Sequence, residues 1–145
     1  MELDEQTHSR ITVLAEDGNR ALAACEFDRA IEFFEQGLDM LPEPIENWKA
    51  ATWFFAGIGD AYFLSGKYQA ALRPLLDAMK CAGAIGNPFL HLRLGQVQFE
   101  LENYILAADE LARAYMGDGT RVFTGENPKY FEFLKTKLKE PPNGW

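Results

Sequence analysis

Between residues 44 and 65 the apolar side chains Trp48, Phe55, Ile58 and Tyr62 fall at separations of 7, 3 and 4, which puts them on one side of a helix. Gly59 and Ala61 add the small surface on which a second helix packs closely, so this helix is expected to be buried against two neighbours. Pro42 and Pro44 stop the helix before it, Gly66 ends it, and Pro88 suits the first turn of a later one. The same reading predicts helices at about 4–24, 27–40, 44–65, 68–82, 88–101, 104–116 and 127–139. The last starts after Asn127, a good N-cap, with Pro128 behind it. It carries one apolar stripe (Phe131, Leu134, Leu138) among the lysines 129, 135, 137 and 139.

The pattern repeats. Phe27-Asp28-Arg29-Ala30, Tyr68-Gln69-Ala70-Ala71 and Tyr104-Ile105-Leu106-Ala107 each place an aromatic three residues before an alanine. Four residues after the alanine stands Phe34, Leu75 or Leu111, and three further on Gly37, Ala78 or Ala114. Nine residues before each aromatic stands a glycine: Gly18, Gly59 or Gly95. Self-similarity at such a period signals stacked helical units that bury a continuous core between them.

These positions resemble the tetratricopeptide repeat (TPR), a helix-turn-helix unit with the pattern W-x2-L-G-x2-Y, A-x3-F, P. The middle copy matches best, with Phe55, Ile58, Gly59, Tyr62, Gly66, Tyr68, Ala71, Leu75 and Ala78. The third offers His91, Leu94, Gly95, Tyr104, Ala107, Leu111 and Ala114, and the first Leu14, Gly18, Phe27, Ala30, Phe34 and Pro42, with Asp17 where an apolar residue is usual. The copies are offset by 41 and 36 residues rather than 34, and the Pro42–Pro44 and Gly83–Pro88 stretches are where the extra residues loop out. The resemblance implies an all-α fold. It would be a right-handed superhelical stack of three repeats (about 11–44, 52–85 and 88–121) and a capping helix at about 127–139, forming one domain over 1–145.

In that family the first helix of each pair lines a concave groove that binds a protein or peptide. The matching large or polar positions are Asn19, Trp53, Asp60, Phe63, Phe89, Arg93, Gln96 and Phe99. Aromatics and arginine dominate binding energy at interfaces, so this set is the candidate partner-binding groove. The competing expectation is that the C-terminal helix, or a second copy of the chain in a homodimer, covers these aromatics. Some relatives hold a chaperone's C-terminal carboxylate with a clamp of lysines, asparagines and an arginine. Here Asn19 and Arg93 match two of those places while Ala15, Gly57 and Phe89 occupy others, which disfavours a clamp. The layout, with its tail Gly125-Glu126-Asn127-Pro128-Lys129-Tyr130-Phe131, is similar to small stand-alone TPR proteins of bacterial polymorphic-toxin loci. That similarity implies an immunity protein that binds and neutralises a cognate toxin; the alternative is a secretion or assembly chaperone holding an extended client segment.

Charge sharpens this picture. The 145-residue chain has a formal net charge of −8, and residues 1–47 hold 12 acidic and only 3 basic side chains. Such a field repels nucleic acid and anionic lipid and steers basic partners. Glu32, Glu35 and Asp39 recur on one face of the second predicted helix, with Glu43 following, and form a candidate acidic docking patch toward a basic toxin domain. With 48% hydrophobic and 25% charged residues the composition is that of a folded protein, and no stretch approaches the roughly 20 apolar residues of a membrane span. The polar start MELDEQTHSR does not resemble a secretory signal. A cytoplasmic location is expected.

Catalytic chemistry finds little support. His8 and His91 stand alone, and His91 takes a repeat position reserved for a large core side chain. Cys25 falls at an interhelix turn and Cys81 near a helix end, and both read as reduced thiols. There is no H-E-x-x-H, G-x-S-x-G or P-loop motif, and Gly57-Ile58-Gly59 lacks the third glycine and the strand of a dinucleotide site. A non-enzymatic protein without metal or cofactor is expected.

Overall fold

Asp4 starts the first helix: its carboxylate accepts the Thr7 amide at 2.7 Å and the Thr7 hydroxyl at 3.0 Å. The amide bond first, then the hydroxyl, holds its pKa below the usual carboxylate value. The structure, a computed structural model, describes residues 2–145. The helices are α1 (Glu5–Ala23), α2 (Phe27–Asp39), α3 (Lys49–Leu64), α4 (Tyr68–Met79), α5 (Pro88–Glu100), α6 (Tyr104–Asp118) and α7 (Pro128–Lys135). Short 3-10 turns occupy Ile45–Asn47 and Gly119–Phe123, and no strand occurs among the described residues. Asn87 and Asn127 cap α5 and α7 by accepting the amides of Phe89, Leu90 and Lys129, each ahead of a proline at the first helical position.

Three helix boundaries differ from the sequence expectation by three residues or more, and one of them is the end of α4, expected near 82 and found at Met79. The helix expected from residue 44 starts at Lys49, because Trp48 is extended (φ −100°, ψ 130°) and its indole N–H donates to the Pro42 carbonyl at 2.8 Å. The terminal helix stops at Lys135 rather than near 139: the Thr136 hydroxyl donates to the Phe133 carbonyl at 2.6 Å, a local bond that competes with continuing the ladder. Leu138, expected on its stripe, lies beyond it.

All three helix pairs turn by the same device. The carbonyls of Ala21, Tyr62 and Gln98 accept the amides of Glu26, Lys67 and Asn103 at 2.8–2.9 Å, while those of Leu22, Phe63 and Phe99 accept the amides of Cys25, Gly66 and Glu102 at 2.9–3.0 Å. This paired closure requires a left-handed residue after the helix, and Cys25 (φ 60°), Gly66 (φ 78°) and Glu102 (φ 63°) supply it. Only the middle turn has the residue that adopts this conformation without steric cost.

The chain falls into two compact units, Met1–Ala84 and Ile85–Trp145. In the first, α2 packs on both α1 and α3, and α3 on α4. Phe34, 2% exposed, fills the space left by two glycines: a Cβ at Gly18 would lie 2.3 Å from its ring and one at Gly57 2.5 Å. Phe54 fills the space at Gly37 in the same way (2.3 Å from a Cβ there), its ring 6.2 Å from that of Phe34, and Leu75 covers Gly59, where a Cβ would lie 2.5 Å from its side chain. The loop before α3 is tied to the end of the unit, since Ala82 donates to the Glu46 carbonyl at 2.9 Å and accepts the Thr52 hydroxyl at 2.7 Å. Cys81 is buried beside it, and burial, helped by the Glu46 and Asp77 carboxylates, pushes its thiol pKa up.

In the second unit α5 packs on α6, with Leu111 over Gly95, where a Cβ would lie 2.8 Å from its side chain. Residues 90–98 of α5 are all buried, polar ones included. His91 accepts the Gly86 amide on Nε2 at 3.0 Å, which leaves its hydrogen on Nδ1 to donate to Glu110 of α6 at 2.6 Å. It is a core tie between the loop before α5 and α6.

The packing and the turns each suggest a substitution. Ala71 is 0% exposed, so Ala71→Leu overpacks the site and is expected to cost about 1–3 kcal/mol. Glu102→Gly removes a left-handed non-glycine residue and is expected to add about 0.5–1 kcal/mol. Thermal unfolding followed by circular dichroism checks both, the first midpoint falling and the second rising.

Candidate functional site

Within the first unit, Trp53 stands out on α3: its side chain is 52% exposed although its neighbours Thr52 and Phe54 are 2% and 3% exposed. Asn19 on α1 is exposed, and Asp60 and Phe63 are half-buried. Phe63 lies against Tyr68 across the helix turn, ring centroids 5.6 Å apart, so part of this aromatic surface braces the turn rather than facing solvent. Phe99 and Tyr104 form the same pair in the second unit at 5.5 Å.

The second unit places its four groove residues differently. Phe89 is 53% exposed, whereas Arg93 and Gln96 are 7% and 0% exposed. The C-terminal segment covers them: Gln96 donates to Glu126 Oε1 at 2.7 Å, and Arg93 donates to the Gln96 side-chain carbonyl at 2.8 Å and to Glu126 at 3.4 Å. One turn further, Phe99 is boxed by Tyr104, Tyr130 and Phe133 at centroid distances of 5.1–5.5 Å. Glu100 accepts the Tyr130 hydroxyl at 2.9 Å and pairs with Lys129, whose ammonium also lies over the Phe99 ring. Among the described residues no buried side-chain nitrogen or oxygen lacks a partner. Periodicity does not single out Glu100, Glu126, Lys129 or Tyr130. For Glu126, Lys129 and Tyr130 the one signal in the sequence is the Gly125–Phe131 wording of the tail, which carries no spacing that points back to α5.

The acidic residues sit where the helical periodicity puts them. Glu32, Glu35, Asp39 and Glu43 are all exposed. Glu43 accepts the Ile45 amide at 3.4 Å; the three on α2 form no salt bridge among the described residues, while Arg20 and Arg29 pair locally with Asp17 and Glu26. Between α1 and α2 runs an open cleft of about 540 Å³ floored by Val13, Leu14 and Met40 and edged by Arg10, Gln36 and Asp39. Among the described residues no three His, Cys, Asp or Glu side chains converge as a metal site, and no helix is long and apolar enough to cross a membrane.

The class follows from this architecture: an all-α helical-repeat fold of TPR-like helix pairs. Among solved structures, the chain is similar to the crystal structure of the Sgt2 TPR domain from Aspergillus fumigatus. That domain superposes with a TM-score of 0.65 at 22% sequence identity, over 91% of this chain and 85% of that one. No protein-family model matches the chain, and no curated protein does either. The likeness is one of fold.

The seal on α5 is testable. Glu126→Ala strands the buried Gln96 amide and removes a charge partner of Arg93, with an expected cost of about 1–3 kcal/mol. Denaturant unfolding of this variant against Gln96→Ala and the double variant measures the coupling, which is expected to be non-additive.

Proposed function

We propose that the protein is a non-enzymatic binding module of the cytoplasm that recognises a basic protein partner, and that it acts as an immunity protein neutralising a cognate toxin. The observation that carries this reading is the first unit's exposed carboxylates on α2, left without salt bridges among the described residues, on the same unit as the half-exposed Trp53. Unscreened charge of one sign speeds encounter with an oppositely charged partner, and a large exposed aromatic supplies short-range binding energy. A toxin domain that attacks a phosphate-bearing substrate is basic at its active site and complements such a surface. The chaperone alternative needs open groove for an extended client. Arg93, Gln96 and much of Phe99 are occupied by the chain's own C-terminal segment, which favours the immunity reading.

The test is co-expression with each candidate toxin domain found encoded next to this gene, followed by binding kinetics of the purified pair. Wild type is expected to restore growth. Trp53→Ala is expected to weaken binding by about 2 kcal/mol, mainly through faster dissociation. Changing Glu32, Glu35, Asp39 and Glu43 to Gln or Asn is expected to slow association about tenfold at low ionic strength and to flatten its salt dependence. Failure to restore growth, or an association rate indifferent to both salt and these substitutions, would refute the reading.

A further inference from the structure

A shift of 41 residues carries the first helix pair onto the second: Gly18 onto Gly59, Phe34 onto Leu75, and the contact between the members of each pair is preserved. The same shift carries Val13 onto Phe54 and Glu16 onto Gly57. Phe54 and Gly57 are the residues of α3 that meet the preceding helix α2, Phe54 filling the space at Gly37 and Gly57 receiving Phe34. Val13 and Glu16 therefore mark the side of α1 that, in the next pair, is covered by a helix. On α1 it is open. Val13 is 53% exposed where Phe54 is 3% exposed, Glu16 is exposed, and the cleft over Val13, Leu14 and Met40 runs along this side.

We propose that this open side of α1 is the seat of a partner's amphipathic helix bearing basic side chains, packed on α1 as α2 packs on α3. The register fixes what that helix must offer. Opposite Val13 it needs a small residue, as Gly37 stands opposite Phe54; a large one has no room once the backbones approach to that distance. Opposite Glu16 it needs a lysine or arginine where α2 has Phe34, because closing a helix over a lone carboxylate removes its water without replacing the hydrogen bonds. Asp39 at the cleft edge and Glu35 one turn before it on α2 ask for basic side chains too, whereas Arg10, which lines the same cleft, takes an acidic one. A purely polar end cap would account for Arg10, Glu16 and Asp17 standing where α3 has Ala51, Gly57 and Ile58. It does not account for Val13 and the apolar floor beside it.

The inference rests on the reading of the chain as a protein-binding module and names one face and one partner chemistry for it. The probe is a peptide copying residues 27–40 of this chain with Phe34→Lys, Glu35→Lys and Asp39→Lys, which keeps Gly37 and supplies the basic side chains that Glu16, Glu35 and Asp39 ask for. Titrated into the full-length protein and followed by fluorescence anisotropy, it is expected to bind saturably with a Kd on the order of 10–100 μM at low salt. Binding is expected to weaken about tenfold in Val13→Asp and in Glu16→Lys, and again at about 0.5 M salt, while Ile105→Ala, at an exposed position of α6, leaves it unchanged. Circular dichroism melting of the variants confirms that they remain folded; Glu16→Lys, at an exposed position, keeps the test decisive if Val13→Asp does not. Absence of saturable binding, or binding indifferent to both substitutions, overturns the proposal. So does sedimentation showing that the free chain self-associates through Val13, since the seat then belongs to a second copy. Peptide binding retained alongside failed growth rescue would refute the toxin assignment alone. Rescue retained without peptide binding would refute this seat alone.

Discussion

Everything in the two units depends on helix backbones coming closer than ordinary side chains permit. Each pair is locked by one large buried residue of its second helix seated over a glycine of its first: Phe34 over Gly18, Leu75 over Gly59, Leu111 over Gly95. Helices of 12 to 19 residues are marginal in water on propensity alone, so their stability comes from this packing. Phe34 serves twice, since its other edge fills the space at Gly57 of α3. The ring thus joins three helices, and a methyl group at either glycine would collide with it.

The second unit meets a different constraint. α5 carries His91, Arg93, Gln96 and Gln98 along a stretch that is buried throughout. Buried polar groups are tolerated when each finds a partner, and the partners come from the loop ahead (Gly86), from the turn (Asn103, bonded to Gln98 at 2.8 Å), from α6 (Glu110) and from the C-terminal segment (Glu126). Such networks do more for uniqueness than for net stability, because the desolvation of the charges offsets much of their attraction. The C-terminal segment is accordingly specified by hydrogen bonds as well as by the buried Tyr130 and Leu134, and the face it covers is withdrawn from partners.

What remains open is therefore uneven. In the first unit the carboxylates of α2 and the cleft beside α1 face solvent, with Trp53 exposed on α3. In the second unit Phe89 is exposed while the polar groove positions are internal. Electrostatics and apolar contact act over different ranges: charge works across a Debye length of roughly 8–10 Å, and apolar side chains only on contact. A surface holding both on one unit suits recognition in which charge brings the partner in and apolar contact retains it.

The sequence by itself determined the order of the helices, their pairing and the Asn127 cap. Glycine, aromatic and alanine recur at fixed offsets, and each repeat glycine meets the large residue sixteen positions on within one helix pair, where neighbours in space are also close in the chain. The exposure of Glu32, Glu35, Asp39 and Glu43 was legible for the same reason, because helical periodicity alone assigns those side chains to the outer face. The left-handed turns at Cys25 and Glu102 carried no glycine to announce them, though Gly66 marks the equivalent place. Only the tertiary structure decided which groove positions are open. Trp53 and Phe89 stand at matching places in their repeats and both are about half exposed, but Arg93 and Gln96 are buried by Glu126, some 30 residues away in the chain. Periodicity assigns a side chain to a face of its own helix; whether that face meets water or a distant segment depends on contacts that no local spacing records.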